Sequence, residues 1–498
     1  MRYDVAIVGA GVIGCAIARE LSRSLATVAL IERDVEVGLG TSKANSGIIH
    51  GGHRAHDGTL KAATEWRGNQ LWGELAKELP FGFERVGDLT VAFDEADLAV
   101  LHETLEQGRR RGVTGLELWD AERLRREEPN LSHEAIAALH APSAGVVNPY
   151  EACFALAESA VRNGVDLKLE HAVEGIDRDG DGFVVRTSRG DVAARFVVNA
   201  AGLFGDAVAR MAGASAPTIR ARKGEEYLLD KRLAGYVGRV VFPTPSGESK
   251  GILLIPTYDG TLMVGPTAHW TADHGADTTD LDTTAAGAAE VFAGARRLAP
   301  GIAEADCIAE FAGLRAVADG EDFVIGATEV AGFLNVIGIQ SPGLTAAPAI
   351  AQDVVALLAA QGLELEPDDA FVPGLEAPVR AAQLDFEELA RVARGDPAFG
   401  RIACRCERVT EGEVRAAIAR GARTMDGVKF RTRAGMGRCQ GGFCAWRVMS
   451  LIAEATDTPI PAVTKKGGGS WIARVRTDAA ERSDAPDAPD GTREVAHG

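Results

Sequence analysis

The chain has 498 residues, 46% of them hydrophobic and 25% charged, the balance of a globular enzyme long enough for two or more cores. Its formal net charge of −18 argues against general affinity for nucleic acid or for an anionic membrane surface. No apolar stretch approaches the about twenty residues that span a bilayer, and the first apolar run reads as a buried strand rather than a signal peptide. A cytoplasmic protein is expected, or one held at the inner face of the cell membrane through a partner.

The first fourteen residues organise the rest of the chain. Met1 to Val8 is a short apolar run that leads into Gly9-Ala-Gly11-Val-Ile-Gly14 and a helix-compatible stretch from Cys15 to Ser24. A second apolar run, Thr27 to Ile31, ends in Glu32. Strand, three glycines, helix, strand and acid form the dinucleotide fingerprint in its required context. The first glycine permits the tight turn, the second admits backbone close to a pyrophosphate, and the third lets helix pack on strand. The pyrophosphate sits at the helix N-terminus, and Glu32 accepts hydrogen bonds from a ribose.

Small residues then dominate from Gly38 through His50, His53 and Arg54, so backbone can approach something flat and polar. Lys61 to Leu79 reads as an amphipathic helix, Phe83 to Phe93 as a strand, Asp94 to Arg111 and Tyr150 to Asn163 as helices. Val165–Leu169, Ala172–Arg178 and Phe183–Thr187 read as strands walling a nucleotide site, and Phe196 to Gly202 as a buried strand ending in small residues. A β-rich region from Lys223 to Thr267 reads as a substrate sheet inserted into the nucleotide domain. The chain then returns through Phe311 to Ala316, Phe323 to Gly326 and Leu334 to Ala346, where a helix opening at Leu344-Thr345 offers a second N-terminus to the cofactor. No second glycine fingerprint succeeds a strand, so one dinucleotide is expected.

These segments resemble the FAD-dependent oxidoreductases of the D-amino-acid-oxidase and glycerol-3-phosphate-dehydrogenase superfamily over roughly residues 1 to 365. Thr41 to His50, Arg222 to Asp230 and Gly338 to Thr345 are most similar to glycerol-3-phosphate dehydrogenases and oxidases, and L-2-hydroxyglutarate oxidases look similar at the same places. The resemblance implies an α/β fold: a Rossmann-type FAD-binding domain over 1–370 with an inserted β-rich substrate domain, mainly within 78–145 and 220–310. It implies FAD held by Gly9, Gly11, Gly14, Glu32, Arg33, Thr41, Ser42, Asn45, Ser46, Gly47, Val173, Ala201, Gly202, Gly343, Leu344 and Thr345. The isoalloxazine is expected against Ser46–His50. Oxidising a secondary alcohol there needs a base, for which His50 is the first candidate and His53 the weaker one. Arg315 is the expected cation for an anionic substrate, Arg54 a second clamp, Ser341 a donor and Tyr258 a residue closing the pocket. His53-Arg-Ala-His-Asp-Gly departs from the Ser-Gly-Ala-Arg-Tyr pattern of anaerobic glycerol-3-phosphate dehydrogenases, which leaves phosphate and carboxylate substrates both open.

Of seven cysteines, Cys15, Cys153 and Cys307 are isolated in apolar or helical surroundings and read as core thiols, while four crowd near the C-terminus. Cys404-Arg-Cys406, a spacer, then Cys439-Gln-Gly-Gly-Phe-Cys444 resembles a bacterioferritin-associated-ferredoxin-like [2Fe–2S] domain, placed at 401–460 after a 371–400 linker. A structural zinc is the rival for four cysteines. Residues 401 to 447 carry +7 against −25 for the rest of the chain, a basic envelope suited to docking on an acidic flavin domain or an acidic electron carrier. Thr410-Glu-Gly-Glu413 reads as a capping box, and 477–498 as a disordered tail.

The expected function is a dehydrogenase that oxidises glycerol-3-phosphate, or a similar small anionic secondary alcohol, and passes electrons through the cluster to an acceptor protein or quinone-linked subunit. The alternatives are an L-2-hydroxyglutarate-type 2-hydroxy acid or amino acid oxidase or dehydrogenase, an oxidase that hands its electrons to oxygen, and a non-enzymatic iron–sulfur redox sensor.

Overall fold

The computed structural model describes residues 2–245, 251–271 and 280–473. Its first layer grows from the fingerprint. Arg2–Val8 runs parallel between Val28–Ile31 and Val192–Asn199, and Asp166–Lys168 extends the sheet beyond Val28–Ile31. Beyond Val192–Asn199 lie Gly182–Thr187 with Val173–Asp179 antiparallel to it, and the parallel Phe333–Ile337 with Val324–Ala327, completing eight strands. The central strands are apolar where helices cover them, over Val5–Val8, Val28–Ile31 and Phe196–Val198, as a parallel sheet requires. Val12–Leu21, Pro149–Arg162 and Gly343–Ala360 bury Ile7, Ile17, Leu30, Phe154 and Ile350 in one core, to which Leu60–Glu78 adds Trp72. Gly343–Ala360 is the one helix among the described residues long and apolar enough to cross a membrane, which corrects the expectation that no such stretch exists. With 56% of it buried in this core, it is accounted for as a core helix.

The second layer is a nine-stranded sheet built from two separated parts of the chain. Asp88–Ala92, Glu117–Asp120 and Ala137–Ala141 join Ile219–Leu229, Val240–Pro243, Leu253–Pro256, Leu262–Gly265, His269–Trp270 and Cys307–Ala318. Asp88–Ala92 meets Val240–Pro243 in parallel, the seam between the two parts. The longest pairing is antiparallel, from Ile219 opposite Ala318 to Leu229 opposite Cys307. Phe311 to Ala316 therefore belongs to this sheet and not to the returning nucleotide half, so the inserted domain extends past residue 310. Residue alternation marks a strand but does not name its partner, and here the partner lies about ninety positions away. One face of the sheet packs on Ala285–Leu298 through Tyr227, Leu254, Val264, Val291 and Phe292; the other faces the nucleotide layer.

The C-terminal domain packs Glu411–Ala419, Met425–Thr432 and Ala445–Thr456 around Val414, Ile418, Val428, Val448, Leu451 and Ile452. The expected capping box is present: Thr410 accepts from the Glu413 N–H while the Glu413 carboxylate accepts from Thr410. This domain rides on the two-layer body through ion pairs to its acids: Arg431 with Glu36 (2.9 Å), Arg420 with Glu158 (2.6 Å), Arg433 with Asp259 (2.5 Å) and Arg438 with Asp230 (2.7 Å). Tyr150 and Phe430 meet at the same seam, ring centroids 5.1 Å apart. One basic face of the domain is thus spent within the molecule. The expected tail at 477–498 lies outside the described residues.

Candidate active site and four-thiol centre

Between the two layers lies a cavity of about 970 Å³, at the upper end of the range of ligand pockets and able to take an elongated dinucleotide. Gly9 has φ +101°, and a Cβ there would stand 2.5 Å from the Ala200 carbonyl oxygen. A Cβ on Gly14 would stand 1.9 Å from the Gly9 oxygen, so Gly14 supports the turn from behind without lining the cavity. The two positions play the first and third glycine roles. The Ser42 hydroxyl accepts from the Val12 N–H at 2.9 Å, fixing the loop against the first helix's N-terminus. Glu32 lines the cavity with its carboxylate held by the Ala10 and Asp34 N–H groups at 2.8 and 3.0 Å, while burial pushes its titration up. Arg33 lines the wall with its guanidinium 4.0 Å above the Phe204 ring.

Gly11, Thr41, Ser42, Asn45, Ser46, Gly47, Val173, Ala201 and Gly202 also line the cavity, and Gly343 and Leu344 bring the second helix N-terminus to its wall. Thr345 stands behind the wall, its hydroxyl accepting from the His50 N–H at 2.9 Å. The nucleotide residues expected from sequence therefore fall on one continuous cradle, with Gly14 and Thr345 supporting it. The glycine cradle, the helix N-termini and the volume of the cavity fit FAD.

His50, Ser341, Arg315 and Arg54 line the same cavity, and His50 and Ser341 meet within it. His50 is buried and fixed on both sides of its backbone, its carbonyl accepting from Asn69 Nδ2 at 2.7 Å. Its Nε2 lies 3.3 Å from Ser341 Oγ, and its ring sits 5.9 Å from that of Phe242. Arg315 faces Arg222 directly across the paired strands, so both project from the same side of the sheet. A Cβ on Gly224 would stand 2.7 Å from Arg315 Nη2, so the glycine leaves room for that guanidinium. Burial lowers the Arg315 titration, with Glu226 opposing and Arg222 reinforcing the shift.

Three expectations change. Tyr258 is absent from the cavity wall: its ring packs against Gly82, whose Cβ would stand 2.3 Å from Tyr258 Cδ1, so it supports the inserted sheet and closes no pocket. Arg54 does line the cavity, but its guanidinium is paired with buried Asp88 at 2.6 Å and lies 3.7 Å over the Phe242 ring. Its charge is balanced, so it stiffens the wall instead of offering a second anion clamp. His53 is fully buried, 3.9 Å from the same carboxylate, and does not line the cavity. Sequence reading missed Arg222 and Glu226. Arg222, Gly224 and Glu226 share one face of their strand and all three line the cavity, but Arg220, Lys223 and Glu225 in the same strand are charged too, so hydropathy alternation did not single them out.

The four C-terminal cysteines converge as two pairs. Cys406 Sγ lies 3.5 Å from Cys439 Sγ, and Cys404 shares a sulfur hydrogen bond with Cys444. The first pair reaches solvent, whereas Cys404 and Cys444 are buried. Backbone N–H groups of Gly435 and Glu407 point at Cys404, and those of Phe443 and Gly441 at Cys439, donors suited to cluster sulfur. The Cys404 thiol is pulled down to about 6, chiefly by the Cys444 hydrogen bond and against its burial. Four converging thiols with backbone N–H donors around them meet the ligand count of a [2Fe–2S] centre, two thiolates to each iron.

Comparison with known proteins agrees. Residues 4–357 match the family described as FAD dependent oxidoreductase, and 402–454 the BFD-like [2Fe-2S] binding domain. The chain is 42% identical over 473 residues to a glycerol 3-phosphate dehydrogenase of Caloramator mitchellensis, covering 94% of this chain and 98% of that relative. It is 32% identical to a glycerol 3-phosphate oxidase of Mycoplasma pneumoniae over 71% of this chain and 94% of the relative. Among solved structures, the FAD-bound L-alpha-glycerophosphate oxidase of Mycoplasma pneumoniae superposes with a TM-score of 0.72 at 28% identity, over 76% of this chain and all of the other. The chain belongs to the FAD dependent oxidoreductase family, a flavoprotein with FAD in its two-layer body and a [2Fe–2S] cluster in its C-terminal domain.

Proposed function

We propose that this protein oxidises glycerol 3-phosphate at its secondary hydroxyl and delivers the electrons through the C-terminal domain to an external acceptor rather than to oxygen. The observation that carries the substrate is the Arg222–Arg315 pair, two guanidiniums from facing strands on one cavity wall. A phosphate carries close to two negative charges at neutral pH, and two forks satisfy it better than one. The relatives named for glycerol 3-phosphate support the same choice. When bound, FAD supplies a hydride acceptor and the cluster a one-electron path away from it.

The chain's own residues do the rest. His50 takes the hydroxyl proton at Nε2, the nitrogen that already meets Ser341, and Ser341 orients the ring. Thr345 and Asn69 lock the His50 backbone so that the imidazole holds its direction. Arg315, given space by Gly224, and Arg222 hold the anionic end away from His50. Arg54, tied to Asp88 and stacked on Phe242, keeps the wall rigid.

The test is anaerobic. Glycerol 3-phosphate added to the holoenzyme bleaches the flavin absorbance, whereas L-2-hydroxyglutarate and amino acids do so far more slowly. Turnover with an artificial dye exceeds peroxide formation in air. Equal bleaching by a 2-hydroxy acid, or peroxide matching substrate one for one, overturns the reading.

A further inference from the structure

The C-terminal domain keeps a second face that the body does not cover. Phe443 is 89% exposed and Trp446 63% exposed, among the most exposed large apolar side chains in the molecule. They are not scattered. The Ala445 N–H bonds the Gly441 carbonyl and the Val448 N–H that of Cys444, so the backbone already turns helically through this stretch. Residues three and four apart then share a side, which gathers Phe443, Trp446 and Arg447. The same turn carries Cys439 and Cys444, and Cys439 meets the exposed Cys406 at 3.5 Å.

The rim is positive. Arg405, between Cys404 and Cys406, is exposed and has no ion-pair partner among the described residues. Arg401 and Arg447 share a single carboxylate, that of buried Glu411, and leave one charge over. Arg405 and this shared carboxylate therefore leave a positive surplus here, while the arginines at the seam are paired with the body's acids. Two exposed aromatics with an arginine rim form a hot-spot pattern for protein docking, and the charge selects an acidic surface.

We propose that the Phe443–Trp446 face, beside the solvent-reaching Cys406/Cys439 pair, docks an acidic, one-electron carrier protein. The inference rests on the onward electron route proposed above. The stoichiometry is fixed by that route: each secondary alcohol oxidised to a ketone yields two electrons and two protons, two oxidised carriers take one electron each, and the protons pass to solvent.

The test uses oxidised holoenzyme and two acidic probes, a flavodoxin and a plant-type [2Fe–2S] ferredoxin, with binding measured by surface plasmon resonance. At least one probe binds at about 20 mM salt and weakens about tenfold by about 200 mM. Phe443→Ser and Trp446→Ser each weaken it about tenfold, and Arg405→Glu at least as much. Iron content and dye reduction stay at the unsubstituted level. Several outcomes overturn the proposal: neither probe binds, binding ignores salt, or the three variants bind as the unsubstituted protein does. It is also overturned if Trp446→Ser dissolves a dimer in sedimentation, or abolishes binding to anionic phospholipid vesicles, because another occupant then covers the face. Electron paramagnetic resonance after substrate addition separates the levels. If the flavin bleaches but no reduced-cluster signal develops, the onward route itself fails; if the signal develops and no carrier binds, only the docking face fails.

Discussion

Glu226 offers the sharpest energetic test. It sits on the Ile219–Leu229 strand, 3% exposed, with Oε1 accepting from Ser46 Oγ at 3.0 Å and Oε2 without a hydrogen-bond partner among the described residues. Burial pushes its titration up from 4.5 to about 7, with the Ser46 hydroxyl and the Arg315 charge pulling back. A raised folded-state value means that the folded protein binds a proton the unfolded chain has lost. Stability from this group is complete below pH 4.5 and drains away as pH climbs through 7. A shift of that size corresponds to about 3 kcal/mol lost by pH 8. Glu226→Gln is neutral at every pH and keeps an acceptor for Ser46, so it does not suffer that loss. Thermal unfolding of the two proteins from pH 5 to pH 8.5 reads the difference. The midpoints nearly coincide at the acid end, and the variant leads by several degrees at the alkaline end. Infrared difference spectra show a protonated carboxyl band in the native protein below pH 7 that the variant lacks. Parallel stability curves refute the reasoning, since they mean that water reaches Glu226 through the cavity and its titration is ordinary.

Other perturbations test the same geometry. Arg433 pairs with Asp259 and Glu407, and Arg433→Met leaves two partly buried carboxylates without it; a loss of about 3 kcal/mol or more should show as faster proteolysis within 371–401 and quicker iron loss to chelators. Gly14→Ala forces a methyl onto the Gly9 carbonyl, so FAD retention on gel filtration falls at least about tenfold while the cluster's absorbance persists. Arg315→Met raises KM for glycerol 3-phosphate by about a hundredfold with a smaller change in kcat, the mark of lost anion binding. Cys404→Ser removes one of the buried pair and abolishes the reduced-cluster signal, leaving anaerobic flavin bleaching intact.

The parts of this molecule legible from sequence are those whose chemistry is contiguous. Gly9 to Gly14 act through the backbone of one turn, and that turn forms wherever the strand and helix around it form. Cys404, Cys406, Cys439 and Cys444 sit in two short loops whose spacing limits what they can hold, and the match of residues 402–454 to the BFD-like [2Fe-2S] binding domain favours iron over zinc. The capping box at Thr410 and Glu413 is local in the same sense. His50, Ser341 and Arg315 could be named from their segments, but their meeting in one cavity could not be read from composition or periodicity.

What the sequence determined by itself is therefore the local geometry: the nucleotide turn, the thiol loops, most helices and strands, and the charge contrast between the two parts of the chain. Tertiary structure alone decided which side chains answer one another. Arg222 comes to face Arg315 only because its strand pairs with Cys307–Ala318, and the charge of Arg54 is balanced because the fold delivers Asp88 to it. Tyr258 leaves the site because Gly82 admits its ring. Glu226 titrates near 7 because two layers close over it. Burial and partner choice depend on contacts between residues far apart in the chain, and an electrostatic environment is a property of everything that surrounds a group, which no single stretch of residues carries.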